Sequence, residues 1–204
     1  EKYYVNIYFM NELELVERAK TGDTKAFEEL VKLTQEKIYN LGLKILGNRD
    51  DAADILQETY IKAYENLPKF EGKSSFSTWL YRIATNFALM KLRKEKYKKI
   101  SIDEIKKSSD ENYKLEISDW SNSPYFQYRN EELKEILNNA INSLPPKYKT
   151  IFILHDIEGL SIGEISEILS LSIPTVKTRI HRSRLFLREK LSEYFKKKGN
   201  SNEM

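Results

Sequence analysis

Apolar residues recur every three or four positions along most of the chain, the spacing of amphipathic helices, and no stretch alternates as a strand would. The predicted elements are therefore helices. Residues 11–20 and 24–46 are separated by Thr21-Gly22-Asp23, where glycine stops the first helix and Asp23 or Thr24 caps the second. A third helix runs over about 50–67, capped by Asp50 or Asp51 and followed by Pro68. A loop over 68–75 leads into a fourth helix over about 75–98. Farther along, 130–143 is helical until Pro145-Pro146 breaks it, and helices over 147–155, 162–169 and 173–197 follow.

Between the two groups of helices, residues 100–122 show no sustained period, are rich in Ser and Asn, and carry six carboxylates against three lysines. That composition marks a linker. The expected fold is all-α: a four-helix domain over 10–98, a flexible acidic linker over 99–129, and a second helical domain over 130–198 containing a helix-turn-helix.

The composition narrows the chemistry. A chain of 204 residues has room for one large domain or, as the pattern suggests, two small ones, and 40% hydrophobic with 12% aromatic residues is ample packing material despite 32% charge. There is no cysteine, hence no disulfide, thiolate nucleophile or Cys-based zinc site, and the only histidines are His155 and His181. Seven glycines and five prolines are too few for a β-sandwich or for phosphate-cradling loops. No apolar run approaches the roughly 20 residues a bilayer crossing needs, and residues 1–9 lack the basic and apolar regions of a signal peptide. A cytoplasmic protein without membrane insertion, metal, cofactor or enzymatic activity is expected.

Net charge is only +3, but it is unevenly placed: residues 91–99 hold six bases against Glu95, and residues 174–198 hold nine against Glu189 and Glu193. Two cationic segments flanking an acidic connector suit a polyanion gripped at two places. The alternative is that these are solvated helix ends complementing the helix dipole.

Three faces carry candidate chemistry. In the last helix, at about 100° per residue, Ile173, Val176, Ile180, Leu187 and Leu191 form a core stripe. Lys177, Thr178, His181, Arg182, Arg184 and Arg188 lie away from it, donors on a helix that fits the major groove. Arg179 falls nearer the buried edge, as a phosphate or structural contact, and Leu185 points outward without an evident role. Ser161 and Ser172 are the expected caps of this helix-turn-helix; the alternative is an ordinary helical hairpin with a basic face. In the fourth helix Phe76, Leu80, Ile83, Ala84 and Phe87 are the expected buried side, with Arg82, Asn86 and Arg93 in a narrow band opposite and Trp79 at its flank. Guanidinium, amide and indole together can hold phosphates and stack an unpaired base, and the preceding loop with Phe70 and Lys73 can close around a flipped one; the alternative is a core Trp79 beside solvated arginines. In the third helix Ala52, Leu56, Tyr60, Ala63 and Leu67 share a face, leaving Asp54, Gln57, Glu58, Ile61 and Glu65 on the other. An isoleucine ringed by carboxylates fits a basic partner protein better than DNA. A magnesium-dependent nuclease centre built on Asp50, Asp51, Asp54 and Glu58 lacks a second acidic segment to converge on a metal.

The stretches Asp51-Ala52-Ala53-Asp54-Ile55-Leu56-Gln57-Glu58-Thr59-Tyr60, Phe76-Ser77-Thr78-Trp79-Leu80-Tyr81-Arg82-Ile83-Ala84-Thr85-Asn86 and Thr175-Val176-Lys177-Thr178-Arg179-Ile180-His181-Arg182-Ser183-Arg184 stand in this order. In them the chain resembles the bacterial sigma factors of the small two-domain extracytoplasmic-function group, from about Met10 to Lys197. The resemblance implies a transcription initiation factor, with a free-standing helix-turn-helix regulator as the alternative. It implies docking of Asp54, Gln57, Glu58 and their neighbours on the β′ clamp helices of core RNA polymerase, with the β flap as a further contact, and an anti-sigma factor as another partner. It further implies that the Phe70 loop and Asn86 capture an unstacked base of the promoter minus-ten element, and that the helix-turn-helix reads the minus-thirty-five element. The chain departs from the family pattern in having Met90 where an acidic residue is frequent, Ser170 in place of the usual turn glycine, and nine residues before Met10.

Overall fold

The computed structural model describes residues 12–103 and 131–201. The chain divides into two compact units, Glu1–Lys114 and Leu115–Met204. Residues 1–11, with the expected start at Met10, and 104–130, most of the expected connector, lie outside the described residues. Among the described residues every regular element is helical and there is no strand.

The first unit contains α1 (residues 12–20), α2 (Thr24–Leu46), α3 (Arg49–Asn66), a short 3-10 turn (Leu67–Lys69) and α4 (Phe76–Asp103). Gly22, at φ +97°, ends α1. Asp23 caps α2, accepting from the N–H groups of Lys25 and Ala26 at 3.0 and 3.2 Å. Its other oxygen accepts from the Arg18 guanidinium at 2.7 Å, and this hydrogen bond holds the acid below its usual range. The cap of α3 is Asn48 rather than Asp50 or Asp51: its side-chain oxygen accepts from the Asp51 N–H at 2.9 Å. Asp50 and Asp51 thus sit inside the first turn, where their charge meets the positive end of the helix. Ser75 caps α4 by accepting from the Thr78 N–H at 3.0 Å, and the Glu12 carboxylate of α1 accepts from the Phe76 N–H at 3.0 Å, so two of the helix's orphan donors are satisfied. The helix continues to Asp103, past the expected end at Lys98.

Leu30, Ile38 and Leu41 of α2, Ala52, Ile55 and Ala63 of α3, and Phe76, Leu80 and Ala84 of α4 are buried. Gly42 lets α2 and α3 cross closely; a Cβ there would lie 3.4 Å from the Ala52 Cα. The buried stripe of α3 is Ala52-Ile55-Thr59-Ala63, so Leu56 and Tyr60, expected in the core, are half-buried. The phenol explains the rotation. Thr34 donates its hydroxyl proton to the Leu30 carbonyl at 2.7 Å, so Tyr60 donates to Thr34 Oγ1 at 2.6 Å. A side chain that must keep a polar partner settles at the core edge, and partial burial pushes the phenol up to about 12. In α4, Ile83 and Phe87 are likewise half-buried, while Tyr81, Thr85 and Ala88 join the core.

The second unit contains α5 (Glu131–Asn142), α6 (Pro146–Phe152), a π turn (Ile153–Ile157), α7 (Ile162–Leu169) and α8 (Ile173–Ser201). Asn130, the expected start of α5, lies outside the described residues. Pro146 opens α6, where a missing N–H costs nothing. The helix expected over 147–155 is α6 followed by the π turn. Helix α8 packs against α5, α6 and α7 around Ile151, Ile153, Leu154, Ile165, Ile168, Val176 and Ile180. A reciprocal pair of bonds starts α7: Ser161 Oγ accepts from the Glu164 N–H at 3.2 Å, and the Glu164 carboxylate accepts from the Ser161 N–H at 2.9 Å. Ser170 ends it at φ +51°, the left-handed conformation that glycine adopts more cheaply, and the Leu171 N–H closes the turn on the Ser166 carbonyl at 3.0 Å. No helix among the described residues is long and apolar enough to cross a membrane.

Lys149 of α6 is buried, and burial pushes its ammonium down from 10.5 to about 8. Between these values the unfolded chain binds a proton that the folded chain does not, so stability rises with pH across that window. Lys149→Met is expected to raise the melting temperature at neutral pH, by a stabilisation on the order of 1–3 kcal/mol. The advantage should vanish above about pH 10.5; calorimetry of both chains across this range checks it.

Candidate nucleic-acid interface

The sequence places Arg82, Asn86 and Arg93 on one band of α4, and all three are exposed. Trp79 at the flank is half-buried and Met90, on the same side, is 60% exposed. Phe70 departs from the expectation of a free capture residue. It is only 7% exposed, its ring 4.9 Å from that of Trp79 and 6.1 Å from that of Phe76. An isolated aromatic in a loop beside two helical aromatics gains more from burial than from exposure. Its effect is to fix the loop's base, while Glu71, Gly72 and Lys73 project into solvent. Lys73 is ion-paired with Glu71, which raises its pKa and lowers that of the acid. Gly72, at φ +69°, makes the bend. The result is a rigid aromatic platform, Phe70-Phe76-Trp79, below an exposed polar loop and beside a guanidinium-amide stripe.

On α3, Asp54, Gln57, Glu58, Ile61 and Glu65 are all exposed, as the pattern predicts. Ile61 is 53% exposed. Tyr64, one turn farther on, is exposed too, with its ring 5.0 Å from that of Phe27; it extends the apolar centre and was detectable from its i+3 spacing to Ile61. Asp54 is not solitary. Lys91 of α4 reaches Asp51 at 2.5 Å and Asp54 at 3.0 Å. Burial opposes its charge, but hydrogen bonds to the two carboxylates outweigh that and raise its pKa. Beside this bridge α3 and α4 form a groove of about 470 Å³, floored by Ile55 and Phe87 and rimmed by Asp54, Glu58, Met90 and Lys94.

In α8 Lys177, Thr178, His181 and Arg182 are exposed and Arg179 is half-buried. The Thr178 hydroxyl donates to the Pro174 carbonyl at 2.9 Å, which turns an acceptor and a methyl outward. Arg182 hydrogen-bonds the Tyr148 hydroxyl and holds that phenol below its usual range; the Lys147 ammonium stands 4.9 Å from the same ring. Lys147 and Tyr148 escape sequence reasoning because they belong to another helix. Three expectations change. Arg184 donates to Asp156 from Nε at 3.1 Å and from Nη2 at 2.5 Å, and the Asp156 side chain is almost wholly buried. The π turn brings that carboxylate under α8, so Arg184, expected as a free donor, is engaged in an ion pair while its side chain stays 55% exposed. Ile173, expected in the core, is 48% exposed, and Leu185, expected outward, is half-buried. An apolar groove of about 350 Å³, lined by Leu137, Ile141, Phe152, Leu187 and Leu191 with Arg184 and Arg188 at its rim, opens among α5, α6 and α8.

A helix-turn-helix unit, and a separate helical unit with one acidic and one basic-aromatic face, define a class of two-module nucleic-acid-binding proteins. The family model Sigma-70 region 2 matches residues 30–97 and Sigma-70, region 4 matches residues 134–187. The chain is 39% identical over 178 residues to the ECF RNA polymerase sigma factor SigW of Bacillus subtilis, covering 87% of this chain and 95% of that protein. It is 37% identical over 179 residues to the ECF RNA polymerase sigma-E factor of Haemophilus influenzae, covering 87% and 93%. The fold is similar to that of the sigma factor RpoE crystallised in complex with the anti-sigma factor NepR from Bartonella quintana, with a TM-score of 0.63 at 24% identity over 82% of this chain and 98% of that one. The chain belongs to the ECF RNA polymerase sigma factors. Membership sets aside the free-standing regulator.

The two arginines of α8 should separate in experiment. Arg184→Ala is expected to lower stability by about 1–2 kcal/mol, because it strips a buried carboxylate of its guanidinium. Arg182→Ala should leave melting unchanged and weaken promoter binding by about 1–3 kcal/mol if its contact is bidentate. Thermal melts and duplex titrations of both variants check the pair of outcomes.

Proposed function

We propose that the chain directs core RNA polymerase to promoters and helps open them, by binding and without covalent catalysis, in the cytoplasm. The observation that carries this reading is the division of exposed charge within the first unit: carboxylates around Ile61 on α3, guanidinium groups and an amide on α4. Like charge would repel DNA from the first face, and opposite charge would attract it to the second. Asp54, Gln57, Glu58 and Ile61, joined by Tyr64, dock on the β′ clamp helices. Arg82, Asn86 and Arg93, with the edge of Trp79 and the Lys73 loop, hold a separated strand of the minus-ten element. Phe70 serves by positioning that loop. Lys177, Thr178, His181 and Arg182 read the paired minus-thirty-five element, with Arg179 on phosphate.

Flipping a base costs a few kcal/mol, and stacking returns about 1–3 kcal/mol per base, so phosphate contacts and polymerase docking must supply the difference. A β-flap segment would seat in the apolar groove of the second unit, where Arg188 at the rim favours an acidic residue. An anti-sigma factor would compete for the same docking surfaces.

Run-off transcription by purified bacterial core polymerase with and without the chain tests the reading; promoter-dependent product should require the chain. Asp54→Lys with Glu58→Lys is expected to abolish association with core and the run-off product, while the chain stays folded, its melting temperature lowered only by loss of the Lys91–Asp54 pair. Product without added chain, or full activity of the double variant, would contradict it.

A further inference from the structure

Resting on the reading of α8 as the duplex-reading helix, we infer that Ile173 is a specificity-determining residue that reads the C5-methyl group of a thymine in the upstream element. Among the described residues of the second unit it is the only large apolar side chain that is exposed. Val176, Ile180 and Leu187 of its helical stripe are buried and Leu191 is half-buried, so position 173 overhangs the edge of the core instead of belonging to it.

Its place in the helix gives the exposure meaning. Ile173 is the first residue of α8, and the first turn of a recognition helix is the part that meets base edges. It lies one turn before Lys177 and about 40° from it by the 100° step, so an exposed apolar group and a cationic one are neighbours at the start of the helix. The backbone there is held firmly: Ser172 accepts at its carbonyl from the Val176 N–H at 3.0 Å, Ser172 Oγ lies 2.8 Å from Thr175 Oγ1, and Pro174 fixes its own φ. A β-branched side chain on such a turn has few rotamers to lose on binding. In the major groove only thymine offers a methyl group, and apolar side chains are its usual partner. Solvent exposure of Ile173 is otherwise a net cost that burial against that methyl removes.

The test trims the contact from each side. A duplex is first selected from a random library by holoenzyme assembled from the chain and core polymerase. Each thymine of its upstream element is then replaced in turn by deoxyuridine, which lacks only the C5-methyl. At one thymine the wild-type holoenzyme should lose about threefold to fivefold in affinity, the worth of one buried methyl group. Holoenzyme with Ile173→Ala should bind the unmodified duplex more weakly and be indifferent to that replacement, and Ile173→Val should restore most of the difference. Equal losses for wild type and Ile173→Ala at every thymine, or no loss at any, would overturn the inference while leaving the initiation-factor reading intact. A holoenzyme that selects no duplex at all would remove that reading and this inference together.

Discussion

A helix of this chain can bury only one stripe, and its chemistry is whatever the other stripes present. In the first unit that limit is sharpened by close packing: Gly42 against Ala52 brings α2 and α3 nearly backbone to backbone, and Ala52, Ala63, Ala84 and Ala88 fill buried positions with small side chains. Little room remains inside for anything long or charged. Asp54, Glu58 and Glu65 are therefore sorted outward on α3 and Arg82, Asn86 and Arg93 outward on α4. The separation of an acidic face from a basic one is a by-product of packing.

Where side chains could wander, local interactions hold them. The Phe70-Phe76-Trp79 cluster anchors the base of the polar loop before α4. Lys91, shared by Asp51 and Asp54, ties α4 to the acidic helix. In the second unit the π turn serves a similar end. It sets Asp156 against Arg184, and His155 Nδ1 donates to the Leu160 carbonyl at 3.0 Å, pinning the loop that leads to α7. The left-handed Ser170 is a strained link in the same turn, tolerated because Leu171 and Ser166 close it with two hydrogen bonds.

The outer faces of α3 and α4 were legible in the sequence because they are set by periodicity within a long helix, which packing reinforces. The helix-turn-helix was legible because Ser161, Ser172 and the apolar spacing agree. Features decided between elements were not legible. Phe70 has no period to follow, and its burial depends on two rings in the next helix. Arg184 is engaged by a residue 28 positions earlier, reached only because of a π turn that no local pattern announces. Ile173 satisfies the angular rule for the core but lies at the end of the helix, where the core has run out; the rule gives direction and says nothing of depth. Asn48 stands as cap in place of Asp50 because the helix begins two residues sooner, a shift within the usual uncertainty of helix ends.

The central claim is that one promoter is held by two cationic faces in different physical states, paired strands against α8 and separated strands against α4. The most direct measurement places a photo-crosslinking amino acid at position 86 or position 181 and assembles holoenzyme on a promoter, first in the cold, where the duplex stays closed, and then on warming. Position 181 is expected to crosslink upstream duplex at both temperatures, and position 86 to crosslink the minus-ten strand only after warming. Equal crosslinking at position 86 in the cold, or loss of the position 181 crosslink as the strands separate, would contradict the account.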